Sequence, residues 1–282
     1  MKANLANKYF AVPAMAVLVV AGAFLGLSGS AMAQDTSTMA PPNVLVIEQE
    51  VLKPGTEGMA HQKSESSFVQ TMQGAKSPIH YFAATSMSGP SRALFFIGFD
   101  SFAEWGSSVA AMMNNSSLST EFDNDLQADG KLLKDHMTGV FLYRPKMSIN
   151  PNIDISTMRY MTITVIHIKP GHGEEWKQLI KLHNQVYGKV PGTHAAIWQG
   201  VYGDEGGLFL VTQPMRSLAE LDTRRAANKK AWKAVSAEQQ KKMDDLVASA
   251  FASIHTNLYS FDPKMSYVPD RWKTSSPDYW GK

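Results

Sequence analysis

Three short strings recur in the same order at a nearly constant distance, and this repetition constrains the fold more than any single motif does. Leu52-Lys53-Pro54-Gly55 returns as Ile168-Lys169-Pro170-Gly171, and Ser101-Phe102-Ala103-Glu104 returns as Ser217-Leu218-Ala219-Glu220, each 116 residues later. Pro145-Lys146-Met147-Ser148 returns as Pro263-Lys264-Met265-Ser266, 118 residues later. The chain therefore reads as one unit written twice, with copies at 43–150 and 157–266 and the two-residue drift placed in a loop.

Both copies run through the same succession of periods. Val44 to Leu52 and Tyr160 to Ile168 are β-branched and apolar, as strands are. Lys-Pro-Gly then stops each strand, because proline lacks a ladder donor and glycine turns the chain. A helix follows, with Trp176, Leu179, Ile180, His183 and Tyr187 on one face of the second. Hairpin pairs are expected at 79–86 with 92–99 and at 194–201 with 207–213. Ser101-x-x-Glu104 and Ser217-x-x-Glu220 are capping boxes that open further helices. In the second copy the last helix carries Met243, Leu246, Val247, Ala250 and Ile254 on one face, and residues 139–143 and 257–261 close the copies as strands. The order β-α-β-β-α-β is the ferredoxin-like split βαβ unit. The fold class is α+β: two tandem ferredoxin-like units forming a single-chain α+β barrel, in which each hides the bare face of the other's sheet.

The first residues follow the order of a secretory signal. Lys2 and Lys8 precede an uncharged apolar run, Phe10 to Leu27, and Ala31-Met32-Ala33 supplies the small residues of a cleavage site. Cleavage after Ala33 would send the chain to the periplasm or outside the cell without a stable membrane anchor. Residues 34–42 read as a linker. The sequence has no cysteine, so neither a lipid anchor nor a disulfide is available. Stability must come from a hydrophobic core, for which roughly 250 residues suffice. Without the leader's two lysines, 25 basic residues face 25 acidic ones. That balance leaves no broad basic surface for nucleic acid.

The stretch Ile163-Thr164-Val165-Ile166-His167-Ile168-Lys169-Pro170-Gly171-His172-Gly173-Glu174-Glu175-Trp176 resembles the opening of the dimeric α+β barrel superfamily. Its antibiotic-biosynthesis monooxygenase-like and NIPSNAP-like members begin with a strand, a Lys-Pro-Gly turn and an acidic-aromatic helix start. The first copy keeps Lys53-Pro54-Gly55 and Glu57 but has Ala60 where Trp176 stands. The resemblance implies a barrel that binds a small molecule between sheet and helices. Cofactor-independent oxygenases, isomerases and haem-binding or haem-degrading enzymes are among its members, and homodimers are implied as well. No subfamily's catalytic set maps onto this chain.

The candidate residues follow from the faces. Glu48 and Glu50 project from one side of the first strand, a paired-acid arrangement in which repulsion raises one pKa; solvated or ion-paired strand-end acids are the simpler account. His183 lies on the helix face with Trp176 and Tyr187, as a general base, a haem ligand or a core histidine. His80 and Phe82, matched by Trp198 in the second copy, are candidate pocket walls, with core packing the simpler account, and Arg92 opposite them is a candidate anion ligand or a strand-edge charge. His61 and Glu65, with Phe68 and Met72 continuing their face, read as a surface ion pair. His167 and His172 lack a third ligand at a diagnostic spacing, so no metal site is expected. The tail, 267–282, is rich in aromatics and is expected to lie over a groove or a partner subunit. Three functions follow. The first is an exported protein binding a small apolar or aromatic molecule without a dedicated cofactor, with oxidation or isomerisation as candidate reactions. The second is a periplasmic haem-binding protein, and the third is a non-enzymatic interaction module.

Overall fold

Residues 40–281, Glu205 excepted, are described by a computed structural model, within a unit bounded by Thr36 and Lys282. The leader expected at 1–33 and most of the linker lie outside the described residues. The first copy runs β1 (Val44–Leu52), α1 (Met59–Gly74), β2 (Tyr81–Ser86), β3 (Arg92–Phe99), α2 (Phe102–Met113), α3 (Ser116–Asp129) and β4 (Leu133–Tyr143). The second runs β5 (Tyr160–Ile168), α4 (Gly173–Tyr187), β6 (Ala196–Tyr202), β7 (Leu208–Met215), α5 (Ala219–Lys233), α6 (Ala237–Ala250) and β8 (Phe251–Tyr267), followed by α7 (Asp270–Ser275) and α8 (Pro277–Trp280). Among the described residues no helix is long and apolar enough to cross a membrane.

The strands close into one barrel in the order β1-β3-β2-β8-β5-β7-β6-β4. Cut at its two inter-copy seams, that circle reads β4-β1-β3-β2 and β8-β5-β7-β6, the ferredoxin-like order twice. Closure removes every free sheet edge. The alternation of β1 then has two insides: Leu45 and Ile47 face the lumen, whereas Val44 and Val46 face the helices.

The recurrent strings have physical jobs. Gly55 and Gly171 both take positive φ, +87° and +85°, which lets each chain turn sharply out of its strand. The lysine before each turn caps a helix end: Lys53 Nζ donates to the Lys131 carbonyl at 2.7 Å, just past α3. Lys169 Nζ donates to the Ala248 and Ser249 carbonyls at 2.9 and 3.0 Å, in the last turn of α6. Ser101 caps α2 through the Glu104 amide, and Glu104 reaches back to the Asp100 amide. The second box is only half formed. Glu220 reaches back to the Arg216 amide, but α5 begins after Leu218 with no side-chain cap.

The third string stitches the copies together. The Ser148 hydroxyl accepts the Ile197 amide on β6 and donates to the Arg144 carbonyl four residues back. The Ser266 hydroxyl accepts the Ala83 amide on β2 and donates to the Asp262 carbonyl, again four back. Met265, 1 % exposed, enters the core of the first copy, and Met147 packs against that of the second. Each copy thus ends inside its neighbour.

Several expectations need correction. β4 and β8 begin earlier than expected, and β8 runs on to Tyr267, because their polar rim residues, among them Lys134-Asp135-His136 and Ser253, His255 and Thr256, hide the strand period. Ile254 belongs to β8, not to the preceding helix, since Phe251 already pairs with Ile168. The tail does not lie over an outer groove: Val268, Trp272 and Trp280 join the lumen core, with Trp272 5.7 Å from Phe82. Truncating Met265 to alanine is expected to cost roughly 2–5 kcal/mol, read as a lowered urea midpoint. A change under about 0.5 kcal/mol, as surface substitutions give, would mean the seam carries little of the fold's stability.

Candidate functional site

Two places hold charged groups where the fold supplies mostly apolar surroundings. The first is the layer between the outer face of the first copy's sheet and its helices. Glu50 leaves β1 toward that layer, His61 and Glu65 descend from α1 one turn apart, and Asp129 ends α3. All four are buried, with His61 1 % and Asp129 2 % exposed. His61 Nε2 lies 2.8 Å from Glu50 Oε2, and 3.8 Å from both Glu65 Oε1 and Asp129 Oδ1. One donor atom from each residue lies within 4.8 Å of the other three, the compass of a ligand set.

The electrostatics are unfavourable as they stand. Burial pushes the Glu65 carboxyl well up, and the charges of Glu50 and Asp129 push it further. Burial also raises Glu50, against the lowering effect of the His61 hydrogen bond. Burial raises half-buried Glu48 too, with His136 pulling down and Glu50 pushing up. The Tyr81 hydroxyl, on β2 in the same layer, is held well above its usual value by burial and then by Glu65.

The second copy fills the matching slot with uncharged side chains, though the Trp176 indole N–H is itself buried without an acceptor. Ile166 stands 116 residues after Glu50, and Trp176 and Ile180, one turn apart on α4, pack over it. The fold itself therefore does not require acids there.

The second place is the lumen. Its tail end is filled by aromatic rings: Phe82 stacks on Phe96 at 4.7 Å and meets Phe261 at 4.9 Å. At the opposite rim, His255 on β8 and Met137 on β4 alternate onto the lumen side and are exposed. Between these zones lies Arg92. Its Nη1 donates to Gln49 Oε1 at 3.0 Å, and its charge works against the burial that raises the pKa of the Tyr259 hydroxyl. Its Nε is buried without an acceptor, and among the described residues it makes no ion pair. A groove of about 290 Å³ also opens beside the tail, lined by residues that include Gln62, Arg159, Asp262, Lys264 and Tyr279. Arg159 lies 3.9 Å over the Tyr279 ring, so the groove mixes charged and aromatic walls.

The structure divides the expected site residues. Phe82, Trp198 and Arg92 share the lumen, where Trp198 Nε1 donates to Thr212 Oγ1 at 3.0 Å. Trp176 is 2 % exposed and packs against Phe209 in the core of the second copy. His183 has solvent-exposed surface beside half-buried Tyr187, with ring centroids 4.4 Å apart, since the buried stripe of α4 turns toward Leu182 and Val186; its surroundings still desolvate the imidazole enough to lower its pKa to about 4. His80 precedes β2 and stacks on Tyr267 at 4.8 Å, outside the lumen. Glu48 and Glu50 do share a face, but only Glu50 joins the cluster. His61 and Glu65 are not a surface pair, since both are buried. Their shared face with Phe68 and Met72 was the available signal, because an ionisable residue in an apolar stripe is carried inward with it. Asp129, Gln49 and Tyr259 had no such signal.

No family model matches the chain, and no curated protein matches it. Among solved structures it is similar to a protein of Fusobacterium nucleatum subsp. nucleatum described as a putative monooxygenase, at 12% identity and TM-score 0.53, covering 79% of this chain and 94% of that one. A protein of the same description from Lactobacillus acidophilus has 8% identity and TM-score 0.48, covering 77% and 93%. A mutant chlorite dismutase of Candidatus Nitrospira defluvii has 11% identity and TM-score 0.48, covering 81% and 95%. The first similarity is one of fold, an α+β barrel.

The raised Glu65 carboxyl gives a pH test. Its folded-state pKa lies above the ordinary 4.5, so its contribution is fully present below that value and is lost as pH rises through the raised one. In metal-free buffer the urea midpoint is expected to fall between pH 5 and pH 8, and Glu65→Gln to shrink that fall. An unchanged fall would assign the pH dependence to other groups.

Proposed function

We propose that this chain is an exported binding protein that takes a small molecule with an aromatic or apolar body and an anionic group into the open half of its barrel lumen. Arg92 carries the reading. Its guanidinium donates to the neutral Gln49 amide, makes no ion pair among the described residues, and keeps a buried Nε without an acceptor. A charge so placed costs stability unless an anion meets it, and the planar donor fork suits a carboxylate. Leu94 and Phe96 continue the same lumen wall as packed apolar core, so a ligand's body would have to displace side chains there to pass beyond Arg92. Lys2, Lys8, the apolar run and the Ala31-x-Ala33 site support export. Binding, rather than a named reaction, is what these groups support.

The test is a tryptophan-fluorescence titration of the mature protein with benzoate, its neutral analogue benzamide, and haemin. Benzoate is expected to bind about 10- to 100-fold more tightly than benzamide, matching the roughly 1.5–3 kcal/mol of a charged hydrogen bond. Arg92→Met should erase that margin and raise thermal stability, because it removes an unpaired charge. Equal affinities, or a margin that survives the substitution, would overturn the reading. Stoichiometric binding of haemin with a Soret shift, and none of benzoate, would put the haem alternative in its place.

A further inference from the structure

We propose that Glu50, His61, Glu65 and Asp129 form a divalent-metal site, distinct from the lumen and independent of the ligand reading above. The donor set is one imidazole nitrogen and three carboxylate oxygens, drawn from β1, α1 and α3. Around one ion with bonds of about 2.1 Å, donor atoms stand roughly 3.0–4.2 Å apart. Here Nε2 of His61 is 2.8 to 3.8 Å from the three oxygens, and the whole set fits within 4.8 Å. Movements of a few tenths of an ångström would bring all four to bonding distance.

Three further observations point to a cation. Glu65 Oε1 and Asp129 Oδ1 are buried and take no hydrogen bond from any N–H or O–H group of the chain beyond a proton that the raised Glu65 carboxyl can share with Asp129, and both face the same imidazole nitrogen. Buried carboxylate oxygens without donors are rare, and each needs an explanation. Asp129 is also the last residue of α3, where the helix dipole already places negative charge, so its carboxylate is doubly disfavoured without a positive neighbour. The Tyr81 hydroxyl, buried in the same layer, likewise has no partner and could orient a bound carboxylate or a metal-bound water. The slot filled by Ile166, Trp176 and Ile180 in the second copy holds no ionisable group, so the fold does not require charge there. A mixed nitrogen–oxygen set selects Mn²⁺, Fe²⁺ or Zn²⁺ over Ca²⁺ and Mg²⁺, which prefer oxygen alone. Because the set is closed to solvent, exchange should be slow.

The chelator-stripped mature protein should be titrated calorimetrically with Mn²⁺, Zn²⁺, Ca²⁺ and Mg²⁺ salts, with metal content measured after gel filtration. One equivalent of Mn²⁺ or Zn²⁺ is expected to remain bound and to raise the melting temperature. Glu65→Gln and Asp129→Asn, isosteric and neutral, are each expected to weaken binding at least 100-fold. His172→Ala should leave it unchanged. Retention below 0.2 equivalents, or full binding by both neutral variants, would overturn the site, and so would loss of binding in His172→Ala, which would place the ion at the surface. Should the variants not fold, pulsed EPR of the Mn²⁺-loaded wild type decides: a single imidazole ¹⁴N coupling supports the site, and its absence refutes it.

Discussion

The structure rests on two seams. Neither four-stranded sheet can stand alone in water, because one face and two edges would be left bare. Pairing β2 with β8 and β4 with β6 closes both edges at once and turns two bare faces into one lumen. The reciprocal placement of Ser148 and Ser266, each accepting an amide from a strand of the other copy, explains why this string is repeated. The methionine beside each serine is pressed into the opposite core, so a seam cannot open without losing packing on its far side.

Closure also separates two kinds of interior. The layers under the helices are each built mainly by one copy, with a methionine of the other pressed in, and are free to differ. In the second copy Trp176, Ile180 and Ile166 make that layer uncharged, while His61, Glu65 and Glu50 bring ionisable groups into it in the first. The lumen belongs to both copies, and its filling is graded along the axis. Tail aromatics crowd one end, Arg92 lies further along, and a polar rim faces solvent. Burial of unpaired charge in an otherwise apolar protein is costly, and in this chain it occurs both under α1 and inside the barrel.

Much of the architecture was legible because it depends on local rules. Lys-Pro-Gly must stop a strand, a β-branched run must extend, and an i, i+3, i+4 stripe must turn a helix face inward. Strand ends were less legible where rim residues are solvated on both sides, as in β4 at residues 134–138, since no period remains to read. The site was legible in fragments. Glu50 was visible as an acid on an inward face, and Arg92 as a charge opposite aromatics. His61 and Glu65 were visible only as a pair, because nothing local says whether a helix face with two polar and two apolar members is buried.

The sequence by itself determined the twofold unit, its element order and the lysine and glycine of each turn, because these follow from spacing and backbone chemistry within a few residues. Tertiary structure alone decided what those elements enclose. It brought Asp129 to within 3.8 Å of a histidine 68 positions earlier in the chain, turned His183 outward and drew the tail into the lumen. Those outcomes depend on helix rotation and barrel closure, which are set by packing between segments far apart in the chain.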